Sequence, residues 1–362
     1  MKRYFLYELK KARWQLVIIS AICVLLCATI AAVWPMQYTS YSYDYVDGLT
    51  VQETHTSSPL LSLVAGIAMT LCYVAPVLVY SFKMNKRCVD CYYALPLKKE
   101  KQYLVRTLIG LLLVLIPFTA AYWSMFFVYL MRPNNPYQMA WFVPAYFGSL
   151  FFIICMYGYN AFAYTRANSI VDGIVLMIGY ESVMILLALV PFTLSNGKLF
   201  KVGYLLDFLP EWGMEIFSLY MEGHIINGKV ITTSTDWGFG LTAMTFIMPF
   251  VRGLAGYLLM FLLVRYDKAE NSQQVCESWF GYKTLIPIYT ATIIGLIVGL
   301  VAKASFSLAL VTFVMFAIAA FVLVIVWRRK FTFGKTGWIV YGIGVGASLV
   351  LAVFVRLAVW GA

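Results

Sequence analysis

The sequence is poor in charged residues. Only 12% of its 362 residues are Asp, Glu, Lys or Arg, whereas 62% are hydrophobic. Soluble domains average about 25% charged and about 45–50% apolar residues, so this chain has too many apolar side chains for a water-facing globule. No stretch of about 100 residues has the composition of a soluble domain. The sequence therefore predicts an integral membrane protein and argues against a large cytosolic enzyme domain fused to it.

Histidine is almost absent, and the cysteines form no ligand set. The only two histidines, His55 and His224, lie far apart in polar segments. Cys88 and Cys91 have the spacing of a metal or redox pair, but a zinc site needs two more ligands and no second pair follows. The seven cysteines lie in apolar runs or in segments expected to face the cytosol, which argues against a disulfide framework. We therefore predict no metal site and no catalytic residue.

Long apolar runs dominate the chain. A bilayer core of about 30 Å takes a helix of roughly 20 apolar residues, and nine runs pass that test. The predicted spans cover residues 14–35, 59–82, 104–131, 141–163, 170–194, 242–264, 285–302, 306–327 and 337–360. With the N-terminus in the cytosol, the inner segments carry 20 Lys and Arg and the outer segments carry 6, while Arg252 lies inside a span. The positive-inside rule then predicts a cytosolic N-terminus and an outside C-terminus, and we expect a multi-pass protein of the plasma membrane.

Residues 1–16 have two interpretations. Apolar side chains share one face of a helix over these residues, and basic side chains lie mostly on the other. Such a helix can lie along the inner leaflet, where each basic residue gains about 1 kcal/mol near anionic lipid. Alternatively, the segment is the plain positive start of the first span. Membrane lipid is a predicted partner in both cases, and nucleic acid is not, although the formal charge is +11.

The first cytosolic loop, residues 83–101, carries the most informative pattern. Asn85 can cap a short helix and Pro96 ends it, which predicts an amphipathic helix of two to three turns. Lys86 and Arg87 lie at the positive end of that helix dipole, where they cost stability. This position indicates an acidic partner, either lipid headgroups or another protein. The alternative is a basic loop that serves only to fix the topology.

The run KRCVDCYYALPLKKEKQYLVRTLIGLLLVLIPF, residues 86–118, resembles the first cytosolic loop and third helix of type 2 ABC transporter permeases, especially those of Gram-positive bacteria. The resemblance implies that residues 85–95 form the coupling helix, which docks in a groove of a separate ABC-type ATPase subunit. The expected contact residues are Lys86, Arg87, Asp90, Tyr92, Tyr93, Leu95 and Pro96. A second cytosolic contact is expected at Arg166, Asn168 and Asp172. ATP and Mg are then used by the partner subunit, and this chain binds no cofactor.

The resemblance also implies an architecture. An all-α polytopic membrane protein is expected, with a permease core over residues 1–267 that holds an N-terminal interfacial helix, six spans and an outer segment at 196–240. Residues 268–284 are a predicted cytosolic linker, and residues 285–362 add about three further transmembrane helices. Six core helices form half of a pathway in this family, so a second permease subunit, identical or related, is a predicted partner. The sequence departs from the family at Ala94, where Ser is frequent.

The function implied is the permease subunit of an ATP-driven ABC transporter that exports or extracts an amphipathic substrate. The chain has no ATP site of its own, because Arg329 stands where a phosphate loop ending at Gly334 and Lys335 needs its first glycine. One alternative is a membrane-embedded enzyme, which needs paired His, Glu or Cys groups at one depth in the spans. Another is a secondary transporter, which should show inverted repeats. We find no such repeat in the sequence.

Two charged residues, Glu181 and Arg252, lie inside predicted spans. A charged side chain at a helix centre costs at least about 2.5–3.5 kcal/mol on insertion scales. Each lies about 11–12 residues from the inner end of its span, a depth of about 16–18 Å. The two can therefore form a buried pair, which either holds two helices together or serves substrate passage or gating. In the remaining alternative, the sixth span begins near Phe250 and Arg252 reaches the outer surface.

Glycines recur at close spacing in two of the last spans. Gly295 and Gly299 form one such set, and Gly342, Gly344 and Gly346 form the other. Small residues let helix backbones approach closely in membranes, so both sets predict packing between helices of this chain.

Overall fold

The computed structural model describes residues 2–33, 38–46, 49–57, 59–131, 142–194, 223–226, 229–231, 239–267, 270, 272–274, 276, 278–329, 331 and 333–360. Most of the predicted outer segment 196–240 lies outside these residues.

Helices make up most of the described chain. The α-helices among the described residues are α1 (Lys2–Val33), α2 (Pro59–Tyr80), α3 (Lys86–Tyr93), α4 (Lys99–Leu130), α5 (Phe142–Thr165), α6 (Ile170–Leu194), α7 (Phe239–Leu263), α8 (Tyr282–Ala304), α9 (Phe306–Arg328) and α10 (Lys335–Trp360). Short 3₁₀ turns follow α2 at Ser81–Met84 and α7 at Val264–Tyr266. Within the described ranges, eight helices are long and apolar enough to cross a membrane. The predicted class, an all-α polytopic membrane protein, is confirmed, and α6 forms a helix over the fifth predicted span.

Among the described helices, four have a proline in their interior, away from the first and last turns, that does not end the helix. These prolines are Pro76 in α2, Pro117 in α4, Pro249 in α7 and Pro287 in α8. A proline in a helix interior removes one backbone hydrogen bond and costs about 3 kcal/mol in a soluble helix. In a membrane, neighbouring helices and side chains can satisfy the freed carbonyl group, so transmembrane helices tolerate such prolines. The long apolar runs therefore decide where these helices begin and end.

The first helix distinguishes between the two interpretations of the N-terminal residues. α1 is one helix of 32 residues, and it has no break between its basic start and its apolar run. At 1.5 Å per residue it is about 48 Å long, which exceeds the bilayer core of about 30 Å. The basic residues are thus the start of the first helix itself, and the interfacial helix is not a separate element.

A small antiparallel sheet, which the sequence did not predict, accompanies the helices. Its strands are β1 (Tyr38–Val46), β2 (Leu49–Ser57), β3 (Gly223–Ile226) and β4 (Lys229–Ile231), in the order β1-β2-β3-β4. β1 and β2 pair from Tyr38 opposite Ser57 to Val46 opposite Leu49. β3 joins β2 with His224 opposite Glu53. The segments that carry the two histidines, although far apart in the sequence, are therefore neighbouring strands.

The chain forms two compact units, and neither is continuous in sequence. The first unit comprises Met1–Val79, Leu97–Asn160 and Leu209–Val264. The second unit comprises Tyr80–Pro96, Ala161–Phe208 and Arg265–Ala362. The predicted boundaries near residues 267 and 285, which separate the permease core, the linker and the C-terminal helices, stay a prediction.

Glycines set the helix packing of the first unit. In this unit α1 runs along α4. A methyl group built on Gly253 of α7 would lie 2.6 Å from the Cα of Cys155, and one on Gly256 would lie 2.9 Å from the carbonyl oxygen of Gly158. These contacts are with backbone atoms of α5, which cannot move aside as a side chain can. The absence of a side chain at both positions therefore permits the close approach of α5 and α7.

The second unit is organised around α8, which packs against α10 along much of its length and also contacts α6 and α9. A methyl group on Gly295 would lie 2.8 Å from Leu351, and one on Gly299 would lie 2.7 Å from Val355. The packing predicted for Gly295 and Gly299 is therefore confirmed. At Gly342 of α10 an added methyl group would meet nothing within 4 Å among the described residues, so that glycine does not serve this contact.

Candidate functional site

The short helix α3, together with the turn before it, is the main candidate site, and its local structure follows the sequence. The Asn85 side chain accepts a hydrogen bond from the backbone N–H of Arg87 at 3.1 Å, which is the predicted N-cap. The helix begins at Lys86 and ends at Tyr93, three residues before Pro96. A capped helix with a proline just beyond its end is well defined even though it has only eight residues.

The two faces of α3 differ in exposure. Val89 is 1% exposed and points into the unit, and the Tyr92 ring packs edge-on against Phe82 with the ring centroids 4.9 Å apart. The predicted contact residues that are exposed are Lys86, Arg87, Asp90, Leu95 and Pro96, while Tyr92 and Tyr93 are half-buried. The outer face thus presents two cations and one carboxylate above a buried apolar side. Such a face can bind a partner without exposing the core of the unit.

Lys83 anchors the base of this helix. It lies in the 3₁₀ turn before Asn85, and its side chain is only 7% exposed. The Nζ donates one hydrogen bond to the carbonyl oxygen of Thr165, at the end of α5. It donates another to Asp267 Oδ2 at 3.0 Å. A buried ammonium group held by two acceptors fixes the turn, because leaving such a charge without partners is strongly unfavourable.

Arg166 shares the same carboxylate. Its Nη2 lies 3.6 Å from Asp267 Oδ2, and its guanidinium lies above the Phe162 ring at 5.9 Å from the centroid. Its side chain is 5% exposed and that of Asp267 is 11% exposed. Two buried cations therefore depend on one carboxylate. We name Lys83, Arg166 and Asp267 the anchor cluster.

The segment between α7 and α8, whose described residues from 270 to 281 we call the strip, is joined to the anchor cluster through Cys276. The Cys276 Sγ donates to the carbonyl oxygen of Arg166 at 3.1 Å, and the indole N–H of Trp327 donates to the Cys276 carbonyl oxygen at 3.4 Å. Burial is the main cause that raises the pKa of the Cys276 thiol. A backbone–backbone hydrogen bond also links the strip to the α5–α6 turn, from the N–H of Gln273 to the carbonyl oxygen of Asn168 at 2.8 Å. The α5–α6 turn, the strip and α9 are thus one bonded assembly.

Asp172 organises the neighbouring part of the same unit. Its Oδ2 accepts from the Ser169 hydroxyl at 2.7 Å, and its Oδ1 accepts from the Tyr282 hydroxyl at 2.9 Å. Arg329 Nη2 lies 3.7 Å from Asp172 Oδ2, which is longer than a hydrogen bond. The Arg329 side chain remains 60% exposed, and its backbone has a φ of 53°, in the left-handed region.

The residues predicted as a second cytosolic contact come together, but largely inside the unit. Arg166 and Asp172 are buried, 6% and 8% exposed, and Asn168 is half-buried. Their proposed contact with another subunit stays a prediction, and the geometry assigns them a second task, which is to hold the strip and α8 in position.

The predicted intramembrane residues are found on α6 and α7. Glu181 lies on α6, and the guanidinium of Arg252 lies over the Tyr159 ring at 4.5 Å from its centroid. α7 begins at Phe239, more than three turns before Arg252, but the part of it that is apolar enough to cross a membrane begins at Ile247, so a sixth span that begins near Phe250 stays an alternative. The pairing of Glu181 with Arg252 stays a prediction.

A buried pair that the sequence analysis missed lies in the first unit. Arg106 Nη2 is 3.0 Å from Glu8 Oε1, and the two side chains are 6% and 8% exposed. The same guanidinium donates to the carbonyl oxygen of Val79 at 2.6 Å and to the hydroxyl of Tyr4 at 3.3 Å. Glu8 is the one acidic residue in a basic N-terminal segment, and that exception was the available signal.

Comparison with known proteins adds no family to these observations. No protein-family model, no curated protein and no solved structure matches this chain.

Proposed function

We propose that this protein is the permease subunit of an ATP-driven transporter of the type 2 ABC class, in a plasma membrane with its N-terminus in the cytosol. The observation that carries the proposal is the exposed polar face of α3 above the anchor cluster. Lys86, Arg87 and Asp90 are exposed on a capped helix whose preceding turn is held by the buried side chain of Lys83. The resemblance of residues 86–118 to the coupling loop of these permeases supports the same function.

Through the anchor cluster, a partner that docks on α3 would act on the membrane-spanning helices. Lys83 connects the turn before α3 to Thr165 at the end of α5 and to Asp267, which follows α7. A force applied to α3 therefore reaches the α5–α6 turn through direct hydrogen bonds. The attraction within a buried ion pair offsets the desolvation of its charges only in a good geometry, so the anchor cluster favours one arrangement of these segments. ATP hydrolysis on the partner would thus drive movement of the spans, with ATP and Mg held by the partner.

We further propose that two such permease subunits, identical or related, form one pathway for an amphipathic substrate. This part rests on the resemblance, in which six core helices form half of a pathway. Mass measurement of the gently solubilised complex tests it, and a complex with one permease and its ATPase would contradict it.

The experiment on α3 uses the native Cys91, which is exposed on the helix. The full chain is purified from its own membrane with any bound subunits, and Cys91 is treated with a short thiol-reactive cross-linker. We expect a covalent link to an ABC-type ATPase. Charge reversal at Arg87 should reduce recovery of that ATPase at least tenfold, whereas reversal at the exposed Lys335, at the start of α10, should leave it unchanged. Equal recovery in both variants, or no ATPase in the native preparation, would reject the proposal.

A further inference from the structure

A cavity of about 580 Å³ lies within the second unit, between α6, α8 and α9. Its size is that of small-molecule sites, which occupy about 300–1,000 Å³. On α8 its lining extends from Tyr282 to Ile294, a length of about 18 Å along the helix. One leaflet of a bilayer core is about 15 Å deep, so the cavity has the depth of a single leaflet.

Among the described residues, the wall of the cavity offers no available hydrogen-bond donor. Its polar side chains are Ser182, Tyr282, Tyr289 and Thr290. Each hydroxyl donates within the unit: Tyr289 to the Gly179 carbonyl at 2.8 Å, Thr290 to the Ile286 carbonyl at 2.9 Å, Ser182 to the Ile178 carbonyl and Tyr282 to Asp172. The remaining lining is aliphatic apart from Gly179 and Phe316. An occupant of the inner part is therefore apolar.

The cavity is open at the side of the unit. Ile178 and Leu323 line it, and they are 55% and 52% exposed. These side chains belong to helices of membrane-spanning length, so in a bilayer the opening would face lipid rather than water.

One end of the cavity is polar and basic. Tyr282 forms that end, and its hydroxyl is bonded to Asp172, beside which lies the exposed guanidinium of Arg329. The ammonium of Lys283 lies over the Trp279 ring at 5.7 Å from the centroid, and Trp279 is 70% exposed. Exposed Trp with adjacent Lys or Arg is typical of the headgroup level of a bilayer. The charged end thus lies where lipid phosphates lie.

We infer that this cavity binds one acyl chain of an anionic phospholipid, whose phosphate contacts Arg329. The chemistry of the two ends matches that of the ligand: an apolar slot one leaflet deep, and an exposed arginine at its mouth. Guanidinium groups bind phosphate through paired charge-assisted hydrogen bonds. The site does not depend on the proposed partner ATPase.

The test uses phosphatidylglycerol with a photoactivatable group in one acyl chain, incorporated with the full-length protein into nanodiscs. We expect labelled peptides from α6, α8 and α9 around the cavity. Ala319 lines the cavity, so Ala319→Trp should fill it and reduce this labelling at least fivefold. Ile318 is exposed on the same helix but does not line the cavity, so Ile318→Trp should leave labelling unchanged.

The charge of the mouth is tested by competition with unlabelled phosphatidylglycerol or phosphatidylcholine. Phosphatidylglycerol should compete better in the native protein, and Arg329→Asn should reduce that preference about fivefold, as expected for one basic residue near an anionic headgroup. Asn is chosen because it accepts a left-handed backbone. Arg329→Lys should keep part of the preference, and Lys10→Gln on α1 should keep all of it.

Three results would overturn the inference. The first is labelling that is equal in native protein and Ala319→Trp. The second is equal competition by the two lipids in the native protein. The third is the finding that this face cross-links to a second copy of the chain and that such cross-links prevent photolabelling. That result would make the cavity part of a subunit interface. Each variant is compared at equal folded yield, measured by size-exclusion chromatography.

Discussion

Lys83 Nζ and Asp267 Oδ2 lie 3.0 Å apart although 184 positions separate them in the sequence. Lys83 lies in the turn that leads into α3, and Asp267 lies just after the 3₁₀ turn that ends α7. Each residue stands where an apolar helix gives way to a polar segment. The pair therefore joins two segments of the second unit that are far apart in the sequence, and Arg166 makes Asp267 the shared partner of both cations.

Removing the shared carboxylate should be more damaging than removing one cation. Asp267→Asn leaves two buried cations without their counter-ion, and loss of one partner of a buried pair costs about 3–5 kcal/mol. Lys83→Met keeps the Arg166–Asp267 pair and loses hydrogen bonds of a charged group, about 1.5–3 kcal/mol. The measurement is thermal unfolding of each purified variant in the same detergent.

A matched control for these stability losses is Lys86→Met, the same substitution three residues later at an exposed position. It should change the unfolding temperature little, because exposed charges contribute about 0–1 kcal/mol. Equal stability of Lys83→Met and Lys86→Met, or a more stable Asp267→Asn, would show that the anchor cluster does not hold the turn.

Native cysteines should differ sharply in reactivity. Cys91 is exposed on α3, whereas Cys276 is buried and has a raised thiol pKa. Since the thiolate is the reactive form, a raised pKa keeps Cys276 protonated at neutral pH, and its reactivity should grow only as the pH rises through that higher value. A maleimide at pH 7 should modify Cys91 at least tenfold faster, as measured by peptide mass spectrometry. In denatured protein both should react, and similar rates in the folded protein would contradict the burial of Cys276.

Glycine substitutions in the second unit should differ in their effect on stability, according to whether the added methyl group contacts another helix. Gly299→Ala places a methyl group 2.7 Å from Val355, so α8 and α10 must move apart. Overpacking of this kind costs about 1–3 kcal/mol. Gly342→Ala meets nothing within 4 Å among the described residues and should be neutral or slightly stabilising, because alanine favours a helix over glycine by up to about 1 kcal/mol. Thermal unfolding that ranks the two variants in the opposite order would contradict the close packing of these helices.

Glu8 and Arg106 should be energetically coupled. Glu8→Gln leaves a buried guanidinium without its carboxylate, and Arg106→Leu leaves a buried carboxylate without its cation, so each should lower stability by about 3–5 kcal/mol. The double variant should lose less than the two single losses together. The cycle is measured by thermal unfolding, and strict additivity would show that the contact contributes nothing of its own.

The same cycle applies to the predicted pair of Glu181 and Arg252. Glu181→Gln and Arg252→Leu should each reduce the folded yield, and replacement of both by apolar residues should recover part of it. Tyr159→Leu is the control, since it removes only the aromatic contact of Arg252. If both single variants fold normally, the two charges are not partners.

The elements of this fold were predictable where one local signal decides them. Apolar runs identified the long helices, and Asn85 with Pro96 identified α3 to within two residues at its C-terminal end. The sequence did not decide between a continuous first helix and a separate interfacial helix, and it did not predict the small sheet. β3 has only four residues, and it pairs with a strand that lies about 170 positions earlier in the sequence. No local pattern encodes such a pairing.

The candidate site was only half predictable for a similar reason. The exposed residues of α3 stand together in the sequence, so their charge pattern is visible there. Lys83, Arg166 and Asp267 come from three separate segments, and each one alone looks like an ordinary charge at the end of a helix. Their meeting depends on tertiary packing. What distinguishes these three residues is that their charged side chains are buried, and the sequence alone does not show burial.

The length of α1 and α4 has a mechanical consequence. Both helices have 32 residues, they run along one another, and the Glu8–Arg106 pair fastens them. A rod of about 48 Å that tilts by about ten degrees moves its far end by about 8 Å. A slight rotation of the two helices at the fastened end would therefore become a displacement wider than a water molecule at the other end. The β1–β2 hairpin follows the far end of α1 in the chain, so such a tilt would displace the point at which the hairpin is attached.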